Sequence, residues 1–279
     1  MQYVELNCTV VPAETGNDIL IAFLAELGYE SFVETETELL AYIPKSLFDE
    51  QKISALSGEH PEWGFSFSFS YKDVEEQNWN AVWENNYAPV LVDGCCYIRA
   101  PFHSKREDVK YEIVIEPKMS FGTAHHQTTL QMIRYLLEED CREKQVLDMG
   151  TGTGILAILA AFRGAKKVLA IDNDTWAYEN CCENVEKNNV HVIDIVLGDA
   201  NNIQEKKYDI ILANINRNIL LQDIKTYARS LAEHGILLLS GFYLDPDLRL
   251  IEKEADNHHL FLNSYKEEDN WVAGRFSKR

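Results

Sequence analysis

A chain of 279 residues, 46% hydrophobic and 25% charged, has the length of about two domains and an ordinary globular composition. That excludes collagen, low-complexity disorder and a small disulfide scaffold. The 45 acidic side chains against 26 Lys and Arg leave a net charge of −19, the wrong sign for a nucleic-acid backbone and a suitable one for a basic protein partner.

No apolar run approaches about 18 residues, so no membrane-spanning helix is expected. The opening MQYVELNCTVVPAE lacks a basic stretch followed by an apolar core, and the chain reads as cytoplasmic. The six cysteines show no CxxC and no zinc-site spacing. They read as reduced thiols in or near the core.

Residues 1–72 predict a small α+β unit. A strand over 2–11 is followed by a helix over 14–27, where Ile19, Leu20, Phe23, Leu24 and Leu27 recur at helical spacing and Gly28 stops the run. Short strands follow at 31–35 and 38–43, and then a helix at 45–56. The stretch WGFSFSFSY alternates, placing Phe65, Phe67, Phe69 and Tyr71 on one face of a strand. The order β-α-β-β-α-β is that of a ferredoxin-like unit, which has no chemistry of its own and suggests recognition. Residues 73–90 predict a linker helix with Trp79, Trp83 and Tyr87 on one face.

Residues 91–279 alternate strands with helices. Strands are predicted at 95–100, 111–115, 145–149, 167–171, 191–196, 208–213, 234–240, 258–265 and 269–276. Helices are predicted at 126–139, 154–163, 174–188, 216–232 and 246–257. This α/β pattern argues for a mostly parallel, doubly wound sheet ending in an antiparallel hairpin.

Chemistry concentrates at VLDMGTGTGILA, residues 146–157. A buried strand ends in Asp148, and Gly150, Gly152 and Gly154 let a ligand approach the backbone. Open α/β sheets bind ligands at such a strand end. From Gly152 the spacing also accommodates a relaxed dinucleotide motif ending at Ala157. Asp148 tips the balance, because a carboxylate at the mouth of the loop repels a pyrophosphate and tolerates the ammonium and sulfonium of S-adenosylmethionine. Asp172 ends the second strand, 22 residues after Gly150, where an acid accepts ribose hydroxyls. Asp174 is the better cap for the helix that follows. Asp199, in LGDA, is placed to meet an adenine amine. Asn214 ends the strand in YDIILANINRNIL, which lacks the Asn/Asp-Pro-Pro-aromatic of amide-nitrogen and adenine-N6 methyltransferases. Thr128 and Thr129 fall in the first turn of a helix, where hydroxyls and unpaired N–H groups can meet a carboxylate. The adjacent His125 and His126 diverge by about 100° on a helix, which favours capping or substrate contact over a shared metal. No metal site is expected.

The stretch FGTAHHQTT (121–129), the loop LDMGTGTGILAI, Asp172, ANI at 213–215, LLLSG at 237–241 and NWNAVWENNYAPV at 78–90 together resemble the PrmA family, methyltransferases of bacterial ribosomal large-subunit protein eleven. The resemblance covers the whole chain. It implies a class I (Rossmann-like) methyltransferase domain behind an N-terminal ferredoxin-like domain that binds the ribosomal protein and swings relative to the catalytic one. It implies S-adenosyl-L-methionine as cofactor, with Thr129, Gly150, Asp172 and Asn214 as contacts and Phe121 lining the pocket. Asp148, Gly152 and Asp199 complete the expected cofactor set. The implied substrates are the N-terminal α-amine and lysine ε-amines of that protein. No dedicated catalytic base is expected, and Asn214 is the candidate for orienting the amine or the cofactor. This sequence departs from the family at Ala124, usually glycine, and at Asn216-Arg217-Asn218, usually small and Pro-containing. The competing readings are a class I methyltransferase for another protein, RNA or a small molecule, an NAD-dependent oxidoreductase, and a cofactor-free ribosome-associated binding protein.

Overall fold

The computed structural model describes residues 3–35, 38–57, 63–74, 87–118, 120–203 and 206–278. The chain divides into two compact units, 1–86 and 87–279.

The first unit is a four-stranded antiparallel sheet in the order β2-β3-β1-β4. Its strands are β1 (Tyr3–Val11), β2 (Ser31–Glu34), β3 (Leu39–Pro44) and β4 (Ser66–Val74), with helices α1 (Ala13–Glu26) and α2 (Glu50–Leu56). This is the expected β-α-β-β-α-β order. Alternation decides the faces: Val4, Leu6, Cys8 and Val10 of β1 pack with Phe65, Phe67 and the α1 residues Leu20 and Leu24. The helix expected from residue 45 begins at Glu50, because Asp49 caps it by accepting from Gln51 N–H at 3.0 Å. Residues 73 and 74, expected in the linker, instead complete β4, since Val74 still pairs with Tyr3. Residues 75–86 of the expected linker helix lie outside the described residues, and 87–90, expected as its end, are not helical, with Val90 opening a strand.

The second unit centres on a seven-stranded sheet in the order β10-β9-β8-β11-β12-β14-β13. The strands are β8 (Gln145–Met149), β9 (Lys167–Asp172), β10 (Ile193–Leu197), β11 (Tyr208–Asn214), β12 (Leu231–Tyr243), β13 (Leu260–Glu268) and β14 (Trp271–Lys278). β8 to β12 run parallel, while β14 inserts antiparallel between β12 and β13 as the returning arm of a hairpin. Successive residues of the central strands feed opposite cores. Val146, Val168, Ile210 and Leu238 face α3 (Gln127–Glu138), α4 (Ile155–Phe162) and α5 (Thr175–Lys187), whereas Leu147, Leu169, Ile211 and Leu237 face α6 (Arg217–Ser230) and α7 (Arg249–Asp256). Burial on both faces is why these strands read as near-continuous apolar runs.

The strands expected at 95–100 and 111–115 do not join that sheet. They appear as β6 (Cys96–Arg99) and β7 (Tyr111–Val114) and, with the unexpected β5 (Val90–Val92), form a separate three-stranded sheet packed on the first of those cores through Ile98 and Ile113. An extended segment announces its own backbone but not its partner, and no helix separates β6 from β7 to carry the chain across the large sheet. All six cysteines are free, with Cys8, Cys96, Cys141 and Cys181 buried. Among the described residues no helix is long and apolar enough to cross a membrane, and no cluster of residues could hold a metal ion.

Candidate functional site

The carboxyl ends of β8, β9, β11 and β12 open onto a cavity of about 1020 Å³. Gly150, Gly152, Asp172, Asn214 and Phe121 all line it, so five of the eight expected cofactor residues come together there. Thr129, Asp148 and Asp199 are not among its walls.

The glycine loop is built by hydrogen bonds that use its own donors. Gly150 N–H and Thr151 N–H both donate to the Ile171 carbonyl, at 2.9 and 3.1 Å. Gly152 N–H donates to Asp172 Oδ2 at 2.8 Å, Thr153 N–H to the Phe121 carbonyl at 2.9 Å, and Gly154 N–H to the Thr151 carbonyl at 2.9 Å. Every N–H from 150 to 154 is therefore engaged within the protein, and the loop offers no cradle of donors to a pyrophosphate. The tight approach demands glycine. A Cβ on Gly152, at φ +55°, would sit 2.3 Å from the Phe121 carbonyl oxygen.

Asp148 lies beneath this loop rather than at its mouth. It is buried, and its Oδ2 accepts from Thr151 Oγ1 at 2.6 Å and from Ala157 N–H at 3.2 Å. It thus occupies the N-terminal turn of α4, where the pyrophosphate of a dinucleotide would sit. The expected repulsion at the loop mouth therefore has no place in the structure, since the carboxylate fills the helix turn behind the loop and does not face the cavity. Burial pushes its carboxyl up to about 7, against the opposing pull of the Thr151 and Ala157 hydrogen bonds.

Asp172 is half-exposed at the end of β9. Each oxygen accepts one backbone N–H, Oδ2 from Gly152 and Oδ1 from Asp174 at 3.0 Å. A carboxylate has about four acceptor sites, so two remain for a diol. Asp174 caps α5, accepting from Trp176 and Ala177 N–H at 2.7 and 3.2 Å. Trp176 stands in that first turn, lines the cavity and is 77% exposed.

At the opposite wall, Asn214 Nδ2 donates to Thr129 Oγ1 at 3.3 Å, leaving its carbonyl oxygen to accept from a ligand. Thr129 is buried and acts on the cavity through Asn214. His126 caps α3 through Nδ1, which accepts from Thr128 N–H at 3.3 Å, and it lines the cavity. His125 Nε2 lies 2.9 Å from the Ala88 carbonyl instead; the two histidines diverge, although both precede the helix on which the sequence places them. Trp271, at the start of β14, lines the same wall; its ring is 4.8 Å from that of His126 and 4.2 Å from that of Tyr243.

Asp199 has a local role. It is exposed, accepts from Asn201 N–H at 2.8 Å and forms a reciprocal cap with Asn202 on the short turn Ala200–Asn202. Ala124 adopts φ +66°, the left-handed region that a glycine there would enter freely.

Sequence reasoning did not single out three supporting side chains. Asn180, Asn184 and Asn188 recur every four residues along α5 and its end, a polar stripe on one helix face. Asn184 Nδ2 donates to the Thr153 carbonyl, and its Oδ1 accepts from Glu116 N–H, both at 2.8 Å. Asn188 brackets Val114 by its N–H and carbonyl, at 2.9 and 2.7 Å. The stripe ties the glycine loop to the segment after β7. Its spacing was the available signal.

The family model for ribosomal protein L11 methyltransferase (PrmA) matches residues 9–279. A relative from Phocaeicola vulgatus named ribosomal protein L11 methyltransferase is 42% identical over 99% of each chain. One of the same name from Porphyromonas gingivalis is 45% identical over 95% of this chain and 91% of its own. The crystal structure of ribosomal protein L11 methylase from Lactobacillus delbrueckii subsp. bulgaricus superposes with a TM-score of 0.64 at 28% identity, covering 69% of this chain and all of that one.

Proposed function

The chain belongs to the ribosomal protein L11 methyltransferase family, and from that premise we propose that it transfers methyl groups from S-adenosylmethionine to amines of ribosomal protein L11, namely the N-terminal α-amine and lysine ε-amines. The observation that carries the cofactor reading is the glycine loop whose five N–H groups are all engaged, with Asp148 in the helix turn behind it. Such a site suits a cationic nucleoside better than a pyrophosphate. S-adenosylmethionine supplies a methyl group on a sulfonium sulfur that departs as a neutral thioether.

The residues divide the work. Asp172 accepts the ribose hydroxyls on the two acceptor sites left after Gly152 and Asp174. Gly150 and Gly152 let the ligand lie against the backbone, and Phe121 covers it. Asn214, held by Thr129, presents its carbonyl oxygen to an amine N–H and so aims the nitrogen lone pair. The amine must be neutral to attack. For an α-amine near pKa 7.7 that costs under about 1 kcal/mol at pH 7.4, and for a lysine near 10.4 about 4 kcal/mol. Desolvation against Trp271, His126 and Ile219 lowers the second figure. Positioning then suffices, and no residue need act as a dedicated base. The enzyme acts in the cytoplasm, a reading supported by six unpaired thiols.

The test is mass spectrometry of purified ribosomal protein L11 incubated with the enzyme and S-adenosylmethionine. Mass gains in steps of one methyl, abolished by Asp172→Ala, support cofactor site and substrate together. Cofactor binding with no mass gain would discard the substrate and retain the transferase.

A further inference from the structure

The segment that departs from the family pattern, Asn216-Arg217-Asn218, has a definite place in the structure. Asn216 caps α6 by accepting from Ile219 N–H at 3.2 Å and lines the cavity. Arg217 is the first residue of that helix, three residues after Asn214. Its Nη1 donates to Asp247 Oδ1 at 2.7 Å, while its Nε and Nη2 donate to Asn218 Oδ1 at 3.2 and 3.0 Å. The guanidinium is thereby fixed on two sides. Asp247 is buried, and its second oxygen accepts from Tyr243 N–H at 3.1 Å. The Tyr243 ring packs on Trp271, which walls the cavity beside His126.

The same two stretches of chain also meet at a second point. A Cβ on Gly241 would lie 2.3 Å from the Ile215 carbonyl oxygen, and Gly241 and Ile215 both line the cavity. The loop after β11 is thus held to the end of β12 by backbone, where Ile215 N–H donates to the Ser240 carbonyl at 3.1 Å, and to the turn after β12 by charge.

We propose that Arg217 and Asp247 are positioning residues for methyl transfer: their ion pair fixes the Tyr243–Trp271 wall against the Asn214 loop and so holds the acceptor amine in line. This rests on reading that wall as the amine side of the cavity. Neither residue touches the glycine loop or Asp172, so cofactor affinity should not depend on them.

The test compares Arg217→Met, Arg217→Lys, Tyr243→Ala and the double variant Arg217→Met/Tyr243→Ala. It uses full-length enzyme, with titration calorimetry of S-adenosylmethionine and single-turnover transfer to purified ribosomal protein L11. Arg217→Met should lower the transfer rate about tenfold, the scale of one charge-assisted hydrogen bond. The dissociation constant for S-adenosylmethionine should stay within about twofold. Arg217→Lys should recover part of the rate, since it keeps the charge but not the fork. The double variant should be no slower than the slower single one, because both changes release the same wall. Arg217→Met/Asp247→Asn removes both charges while an amide oxygen still accepts from Tyr243, and it serves if the lone Asp247 charge prevents folding; it should show the same loss of rate. Unchanged rates, additive losses, or cofactor affinity falling in step would each overturn the proposal. A wild-type enzyme that binds S-adenosylmethionine but leaves ribosomal protein L11 unmodified would instead overturn the substrate reading.

Discussion

Replacing Gly152 by alanine isolates the close approach on which the glycine loop depends. Two costs add. Residue 152 sits at φ +55°, where a side chain costs roughly 1–2 kcal/mol. The new Cβ would also lie 2.3 Å from the Phe121 carbonyl oxygen and 3.2 Å from its carbon, contacts that rigid backbone cannot absorb. Phe121 must retreat, and its carbonyl then loses the Thr153 N–H that it holds at 2.9 Å, worth about 1 kcal/mol. The total is roughly 2–4 kcal/mol. Gly94 supplies the control in the same unit: its φ is +67°, but its Cβ would meet nothing within 4 Å. Gly94→Ala should cost only the backbone share, lowering Tm by about 2–8 °C for a unit of this size. Gly152→Ala should lower it by about 10 °C and weaken S-adenosylmethionine binding by calorimetry at least tenfold, because Phe121 is a cavity wall. Equal Tm losses in the two variants, with cofactor affinity intact, would refute the steric argument.

Three further outcomes are expected. Burial raises the Asp148 carboxyl to about 7, above its unfolded value, so its contribution to stability is full below about pH 4 and is lost as pH rises through 7. Relative to Asp148→Asn, the wild type should therefore lose a few kcal/mol between pH 5 and pH 8 in urea titrations, and parallel pH profiles would refute this. Trp176 is exposed and lines the cavity with Asp172, so S-adenosylmethionine should change tryptophan emission. Trp176→Phe should shrink that change while keeping affinity within a few-fold, and an undiminished signal would place the ligand away from it. Asn184→Ala strands Glu116 N–H and the Thr153 carbonyl, and should cost about 3 kcal/mol by urea denaturation, against nearly nothing if water replaces the amide.

The legible parts of this protein were those decided by local pattern. The alternation of Phe65, Phe67 and Phe69 named a strand and its buried face, and Asp174 announced the start of α5. The apolar runs of β8, β9 and β11 carried the doubly wound sheet, and the loop from Gly150 to Gly154 carried the place of the cavity. What stayed hidden depends on partners distant in the chain. Nothing local distinguishes β6 and β7 from strands of the large sheet. Asp148 could be read as an acid near a ligand, but its position beneath the loop follows from the path of α4. Asp199 offered two uses of one carboxylate, and the structure shows the local one, a cap on the turn Ala200–Asn202. Trp271 enters the site only because β14 folds back between β12 and β13, and Arg217 finds its partner thirty residues later.

β8 and β11 are neighbours at the centre of the sheet, yet Gln145 and Asp209, which join them, stand 64 positions apart. Such pairing has high contact order, because it closes a longer loop than the β8–β9 or β11–β12 pairings on either side of it. The glycine loop and Asn214 come from these two strands, so neither half of the pocket exists without the other. Ligand affinity therefore reports a finished sheet and not a partly folded one. By the same linkage, S-adenosylmethionine at a hundredfold excess over its Kd should steady the entire unit by about 2.7 kcal/mol and not its loops alone.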